Sequence, residues 1–206
     1  MVTIRPTRPD DLEALCDIAL KTGDAGKDAS ALYSDPKLIG HVYAAPYLIH
    51  EPQSAFVMED EEGVIGYIVG ARNTLAFAER LETEWWPGLR EKYADPSDLD
   101  FETWTPDQLL AFLIHHPSMT PQRIVDTYPS HLHINLLPRA QGQGLGAQLM
   151  DRFLIAMDAC GSRGVHLGVH PDNKHALRFY ENYGFHEVKD KKNKGERRTV
   201  WFRLAF

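Results

Sequence analysis

The chain has 206 residues, 43% of them hydrophobic, and a formal net charge of −7. No apolar run approaches the roughly 20 residues that a membrane span needs, and no signal-peptide pattern opens the chain. The acidic balance argues against general nucleic-acid binding, and no Cys/His spacing suggests zinc. We therefore expect a cytoplasmic protein without membrane, nucleic-acid or metal partners. Because Cys16 and Cys160 fall on apparent apolar helix faces, we predict two buried free thiols.

The first part of the chain predicts a strand, helices and a hairpin from its hydrophobic periodicity. The predicted segments are a strand over 2–5, a helix from Asp10 and Asp11, a loop over 22–30, an irregular helical region over 38–45, and hairpin strands over 55–59 and 64–71.

A long segment, 73–130, follows the hairpin, and it is too long for a structureless loop in a compact domain. Helical patterns over 75–93 and 106–115 predict a helical insertion. Most of its aromatic residues are expected to form a satellite core, with one or two rings lining a pocket. These residues are Phe77, Trp85, Trp86, Tyr93, Phe101, Trp104 and Phe112.

The most informative stretch is a glycine-rich loop between a predicted strand over 131–137 and a predicted helix over 145–160. Its residues are Gln141, Gly142, Gln143, Gly144, Leu145 and Gly146. Free backbone N–H groups and the helix dipole make such a turn an anion site. A P-loop is excluded because Gly-Lys-Ser/Thr is absent, and a Rossmann motif is disfavoured by the late position in the chain. A simple strand-to-helix turn stays open at this point.

A second block follows a predicted strand over 164–170. Asn173 supplies helix-capping chemistry, and predicted strands over 185–189 and 199–206 close the chain around a basic connection over 189–198. The residues of this block are Asn173, Ala176, Phe179, Tyr180, Gly184 and Phe185.

The ordered pair of blocks resembles the GNAT acetyltransferase superfamily. The resemblance implies that the loop binds the pyrophosphate of acetyl-CoA and that the strand end at Leu136 and Leu137 pairs with the pantetheine arm. It also implies that Asn173, in the block with Ala176, hydrogen-bonds this arm. Tyr180 would protonate the departing thiolate, and a phenol suits this because its reference pKa is about 10.

The resemblance also implies the fold class. We expect an α/β (α+β) GNAT fold, with a central, mixed but mostly antiparallel sheet that contains a splayed parallel strand pair. Helices would cover both faces, and a helical insertion would join strands 3 and 4. Residues 1–206 would form a single domain, with the insertion over 73–130 as a lid on the acceptor site.

Nearly the whole chain looks like the bacterial relatives of the acetyltransferase-like domain of eukaryotic O-GlcNAcase. The stretches that carry this likeness include Thr3 to Pro6 and Trp85 to Pro87. The eukaryotic domain is regarded as a pseudo-acetyltransferase without a proper cofactor loop, whereas the loop over 141–146 is intact here. The likeness implies no glycosidase activity.

The general base is the least determined part of the site. His131 and His133 would share one face of the strand before the glycine loop, and histidine titrates in the useful range. The triplet is similar to a histidine pair of arylalkylamine N-acetyltransferases, with the spacing to the loop one residue shorter. A structural role for both histidines stays equally open, and Asp126 and Glu84 are alternative bases.

The favoured function is an enzyme that moves acetyl from acetyl-CoA to an amine by direct transfer in a ternary complex. Its acceptor would be a small molecule or a protein lysine, and a homodimer stays open. One alternative is an acetyl-CoA-binding pseudo-acetyltransferase that acts as a sensor or interaction module. Another is a scaffolding domain that docks a partner through the aromatic insertion.

Overall fold

The computed structural model describes residues 1–189 and 199–206. The strands are β1 (Thr3–Pro6), β2 (Ala55–Asp60), β3 (Gly63–Ala71), β4 (Ser130–Leu136), β5 (Gly164–Val169), β6 (His186–Glu187) and β7 (Val200–Ala205). The helices are α1 (Leu12–Lys21), α2 (Leu38–Tyr43), α3 (Ala45–His50), α4 (Thr74–Glu84), α5 (Trp86–Lys92), α6 (Pro106–His115), α7 (Gln122–Val125), α8 (Leu145–Ala159) and α9 (Lys174–Tyr183). Most of the basic connection predicted over 189–198 lies outside the described residues.

The described residues form one seven-stranded sheet in the order β1-β2-β3-β4-β5-β7-β6. Neighbouring strands are antiparallel except for β4 and β5, which are parallel. The β4–β5 pairing is confined to Ser130 with Val165 and His131 with His166. Because β4 continues to Leu136, the two parallel strands separate beyond His131. The predicted mixed sheet with a splayed parallel pair is therefore confirmed.

Side chains alternate across the central strands and feed two separate cores. On one face, Val57 and Tyr67 pack with α1, α2 and α3. On the other face, Phe56 and Ile68 pack with α8, whose Phe153 is fully buried. Helices thus cover both faces of the sheet, as predicted.

The segment between β3 and β4 carries α4, α5, α6 and α7. The Asn73 side chain caps α4 by accepting from two backbone N–H groups at 3.1 Å each. Phe77, Leu81 and Trp86 then pack into the same core as α1 and β3. The predicted helical insertion is confirmed, and its first two helices are anchored to the sheet.

Two details differ from the sequence-based expectation. Cys160 is exposed, whereas Cys16 is buried. The reason is that α8 ends at Ala159, so Cys160 lies past the last turn that faces the sheet. Asp11 was predicted only as an acidic residue at the start of a helix. In the structure it is also buried, and its carboxylate accepts hydrogen bonds from the Arg5 guanidinium at 2.7 and 2.8 Å.

Within the described ranges, no helix combines the length and apolarity needed to cross a bilayer. The same residues contain no cluster of three or more side chains suited to hold a metal ion.

Candidate active site

The glycine-rich loop lies where β4 ends and α8 begins. Gly142 and Gly144 have φ values of 73° and 74°, in the left-handed region that favours glycine. Among the residues that the structure describes, a Cβ added at either position would meet nothing within 4 Å. The backbone here therefore faces open space at the N-terminus of a 15-residue helix. This arrangement is a cradle for an anionic group.

A first cavity of about 850 Å³ opens in front of this loop. Most of the predicted cofactor-binding residues line it, namely Leu136, Gln141, Gly142, Gly144, Gly146, Asn173, Ala176 and Tyr180. Three others do not contribute side chains to its lining. Leu137 packs against the first core, Leu145 is buried in the second core, and Gln143 donates to the Arg139 carbonyl at 2.8 Å.

Sequence reasoning missed one wall of this cavity, which is formed by the turn after α1. Ala25 and Gly26 both have positive φ, at 48° and 92°. Gly26 lies so close to Asn173 that an added Cβ would sit 3.3 Å from the amide nitrogen. The positive charges of Lys27 and Arg178 line the same cavity. No local pattern connects the turn to Asn173, so only the fold reveals this contact.

Asn173, the N-cap residue of α9, and Tyr180 within α9 reach the first cavity in different ways. The Asn173 side-chain oxygen accepts from the Ala176 N–H at 3.0 Å and so caps the helix. Tyr180 is 7% exposed, and its hydroxyl makes no hydrogen bond within the described part of the chain. Burial raises the pKa of Tyr180, so the phenol stays protonated and able to donate a proton.

A second cavity of about 680 Å³ lies beside the N-terminal half of β4. Its floor is formed by three histidines, His131 and His133 of β4 and His166 of β5. Its walls include rings from α2, α3, the insertion and β7. These rings belong to Tyr43, Tyr47, Phe77, Trp86 and Trp201.

The three histidines differ in their partners. His131 is held at both nitrogens, with Tyr47 Oη 2.8 Å from Nε2 and Thr74 Oγ1 2.8 Å from Nδ1. His133 makes ring contacts with Tyr43 and Tyr47, at centroid distances of 5.5 and 5.4 Å. No hydrogen bond joins His133 to the residues that the structure describes. The sequence could not distinguish the two positions, because the partners of His131 come from α3 and α4.

Burial keeps the floor of the second cavity uncharged. It lowers the pKa of His131 well below its ordinary value and that of His133 to about 4. It also lowers the pKa of His166, whose Nδ1 lies 2.7 Å from the Tyr128 carbonyl. His166 was not singled out in the sequence analysis. At neutral pH, all three are imidazoles with a free or shared lone pair.

The two cavities adjoin along β4, since residues 131–133 line one and residues 134–136 line the other. The change occurs between His133 and Ile134, in the part of β4 that lies beyond its last pair with β5. Asp126 and Glu84, the alternative bases, line neither cavity. The open strand edge, the anion cradle and the second cavity together have the form of a two-substrate site.

Comparisons with known proteins agree with this architecture. The model of the family described as "Acetyltransferase (GNAT) family" matches residues 12–185. The crystal structure of SsHAT superimposes with a TM-score of 0.87 at 35% identity, covering 99% of this chain and 98% of that one. YncA from Salmonella typhimurium, solved with its cofactor acetyl-CoA, shares the fold at a TM-score of 0.55 and 17% identity, covering 99% of this chain and 93% of its own.

Among curated proteins, the O-GlcNAcases of Rattus norvegicus and Mus musculus are each 28% identical to this chain over 186 residues. The match covers 90% of this chain but only 20% of theirs, so the chain spans about a fifth of the length of these relatives. Fold and sequence together place the chain in a class of acetyltransferases whose central sheet contains a splayed pair of parallel strands. The chain belongs to the GNAT acetyltransferase family, an enzyme family whose members bind acetyl-CoA.

Proposed function

We propose that this chain binds acetyl-CoA in the first cavity and transfers the acetyl group directly to an amine in the second. The observation that carries the proposal is the meeting of the two cavities where β4 and β5 separate. Such a junction holds a thioester carbonyl and an attacking amine in one place without a covalent enzyme intermediate. The insertion acts as the lid of the acceptor side, because Phe77 and Trp86 line that cavity.

The residues of the first cavity fit acetyl-CoA. The left-handed glycines leave backbone open at the N-terminus of α8, where a pyrophosphate is favoured. Lys27 and Arg178 add positive charge to the lining. Acetyl-CoA would supply the acetyl thioester, and the Asn173 amide nitrogen, which lines the cavity, would donate to the pantetheine arm.

Two side chains divide the proton transfers. Tyr180 donates to the departing sulfur, since its hydroxyl is protonated and not engaged by the described residues. His133 accepts the proton of the attacking amine. Its pKa of about 4 makes it a weak base, so it acts once carbon–nitrogen bond formation has made that proton acidic. The burial that keeps the histidines neutral also favours the unprotonated amine.

The first test is titration of acetyl-CoA into wild type, Gly144→Asp and Gly161→Asp by calorimetry. Gly144 and Gly161 have φ values of 74° and 76°, and at neither would an added Cβ lie within 4 Å of an atom of the described residues. Backbone strain is therefore matched, but only Gly144 lies in the cavity. We expect Gly144→Asp to weaken binding at least tenfold through repulsion of the phosphates, with Gly161→Asp unchanged.

Release of CoA thiol is then followed with a panel of amines. Turnover with one of them supports the proposal. Tight acetyl-CoA binding without turnover of any amine would favour the non-catalytic binding module. A folded wild type that fails to bind acetyl-CoA would overturn the proposal.

A further inference from the structure

The second cavity has a composition that selects among amines. A stacked pair, Tyr47 and Phe77, forms one wall, with ring centroids 4.5 Å apart. Trp201 lies on β7, which pairs with β5, and its ring centroid is 6.0 Å from that of His166. Rings therefore face the cavity from α3, α4 and β7. A cavity of this size and ring content suits a compact ligand with an apolar, flat body.

The floor of the cavity offers acceptors for an N–H group. His166 is 1% exposed, and its Nε2 is buried without a partner among the described residues. Because Nδ1 lies 2.7 Å from the Tyr128 carbonyl, it carries the proton, and Nε2 presents a lone pair. A buried acceptor without a donor costs free energy. A ligand N–H that reaches this floor would satisfy it.

The carboxylates on the wall of the cavity also favour an amine. Glu79 and Glu82 of α4 both line it. Glu82 is neutralised by Arg90, which donates at 2.6 and 3.0 Å. The Glu79 carboxylate has no partner among the described residues and is exposed, so it attracts a cationic amine from solvent.

We propose that the acceptor is a small primary amine with an aromatic body. Its nitrogen lies at His133 and His166, and its ring lies between Phe77 and Trp201. The position of the amine nitrogen in this proposal rests on the proposed function. The assignment of the ring depends on the cavity walls alone. An aliphatic lysine side chain would leave these rings without a flat partner, so the cavity favours arylalkylamines over lysine peptides.

The test compares 2-phenylethylamine, n-butylamine and a blocked lysine peptide, each titrated calorimetrically into the full chain. We expect 2-phenylethylamine to bind at least tenfold more tightly than the other two. Trp201→Leu should weaken its binding about threefold to tenfold. Trp104→Leu is the matched control, because Trp104 packs with Phe101 and Phe112 outside the cavity and should leave binding unchanged.

CoA release with the same amines separates this inference from the proposed function. Selective binding of 2-phenylethylamine without transfer to any amine supports the aromatic cavity and overturns the enzymatic proposal. Transfer that prefers the lysine peptide supports the enzyme and overturns the aromatic acceptor. Equal affinity of wild type for the two small amines also overturns it, whether or not the variants fold.

Discussion

Replacing Tyr180 by phenylalanine should separate catalysis from folding. The ring of Tyr180 packs against Phe179, Phe185 and Phe202, at centroid distances of 5.3, 5.6 and 5.8 Å. Tyr180→Phe keeps this ring and removes a hydroxyl that no described residue engages. The free energy of unfolding should therefore change by less than about 0.5 kcal/mol. Binding of acetyl-CoA should be retained.

The kinetic effect should be large, because the hydroxyl is the proposed proton donor to sulfur. Loss of a general acid costs about 10²- to 10⁴-fold in rate, which corresponds to about 3–5 kcal/mol of barrier. The measurement is CoA-thiol release at saturating acetyl-CoA with an amine that turns over, together with urea unfolding. Because burial raises the Tyr180 pKa, kcat should show no loss from this group as pH rises to 9.

Tyr67→Phe is the matched control. Tyr67 is also a buried tyrosine, 1% exposed, with no hydrogen bond from its hydroxyl to the described residues. It packs in the core on the other face and lines neither cavity. Removal of the Tyr67 hydroxyl should leave kcat unchanged. If Tyr180→Phe retained more than about a third of the wild-type kcat, Tyr180 would not be the acid and the reasoning from its free hydroxyl would be refuted.

Three further predictions concern stability, measured by urea unfolding. Gly40→Ala should cost about 1–3 kcal/mol, since its Cβ would lie 2.7 Å from a backbone atom of α1. Gly88→Ala, in a helix with nothing within 4 Å, should instead stabilise by about 0.5–1 kcal/mol. Lowering the pH from 7 to 5 should reduce the free energy of unfolding by about 2 kcal/mol through His133. The pKa of His133 is about 6.5 in the unfolded chain and about 4 in the folded chain, so the unfolded chain binds a proton first and is stabilised as the pH falls. His133→Gln should remove this part of the acid loss; an unchanged pH slope would contradict it. Arg5→Gln should cost about 3 kcal/mol at pH 7 by leaving the Asp11 carboxylate buried without its cation, and less at pH 3; equal losses at both pH values would contradict it.

Most of the lining of the first cavity was predictable because its signals are local. The strand, the glycine loop and the start of α8 are contiguous, and Gly142 and Gly144 have the positive φ values that favour glycine. The Asn173 cap is also a local interaction, since it accepts from the Ala176 N–H three residues on. The residues that form such short-range patterns are close together along the chain, so a single sequence is enough to find them.

The acceptor side was not predictable in the same way. His131 and His133 are two residues apart and look equivalent in sequence. Tyr47 and Thr74, which engage His131 from 84 and 57 residues away, make them different. The role of His166 depends on the Tyr128 carbonyl, which no spacing rule connects to it. Side-chain partners set by tertiary contacts must be seen in the fold.

The two cavities are built from different parts of the chain, and this limits which properties can be inferred from similar proteins. The first cavity is built largely from residues 134–147 and 172–183, within the region that the family model matches. The second takes its walls from α2, α3, the insertion and Trp201, and of these Trp201 lies beyond that region. Under the proposed function, a relative can keep the cofactor cradle and change the acceptor by altering residues of the insertion that line the second cavity. It follows that substitutions at Phe77 should change which amine is used while leaving the acetyl-CoA dissociation constant unaltered. A coupled loss of both would mean that the insertion also shapes the cofactor cavity.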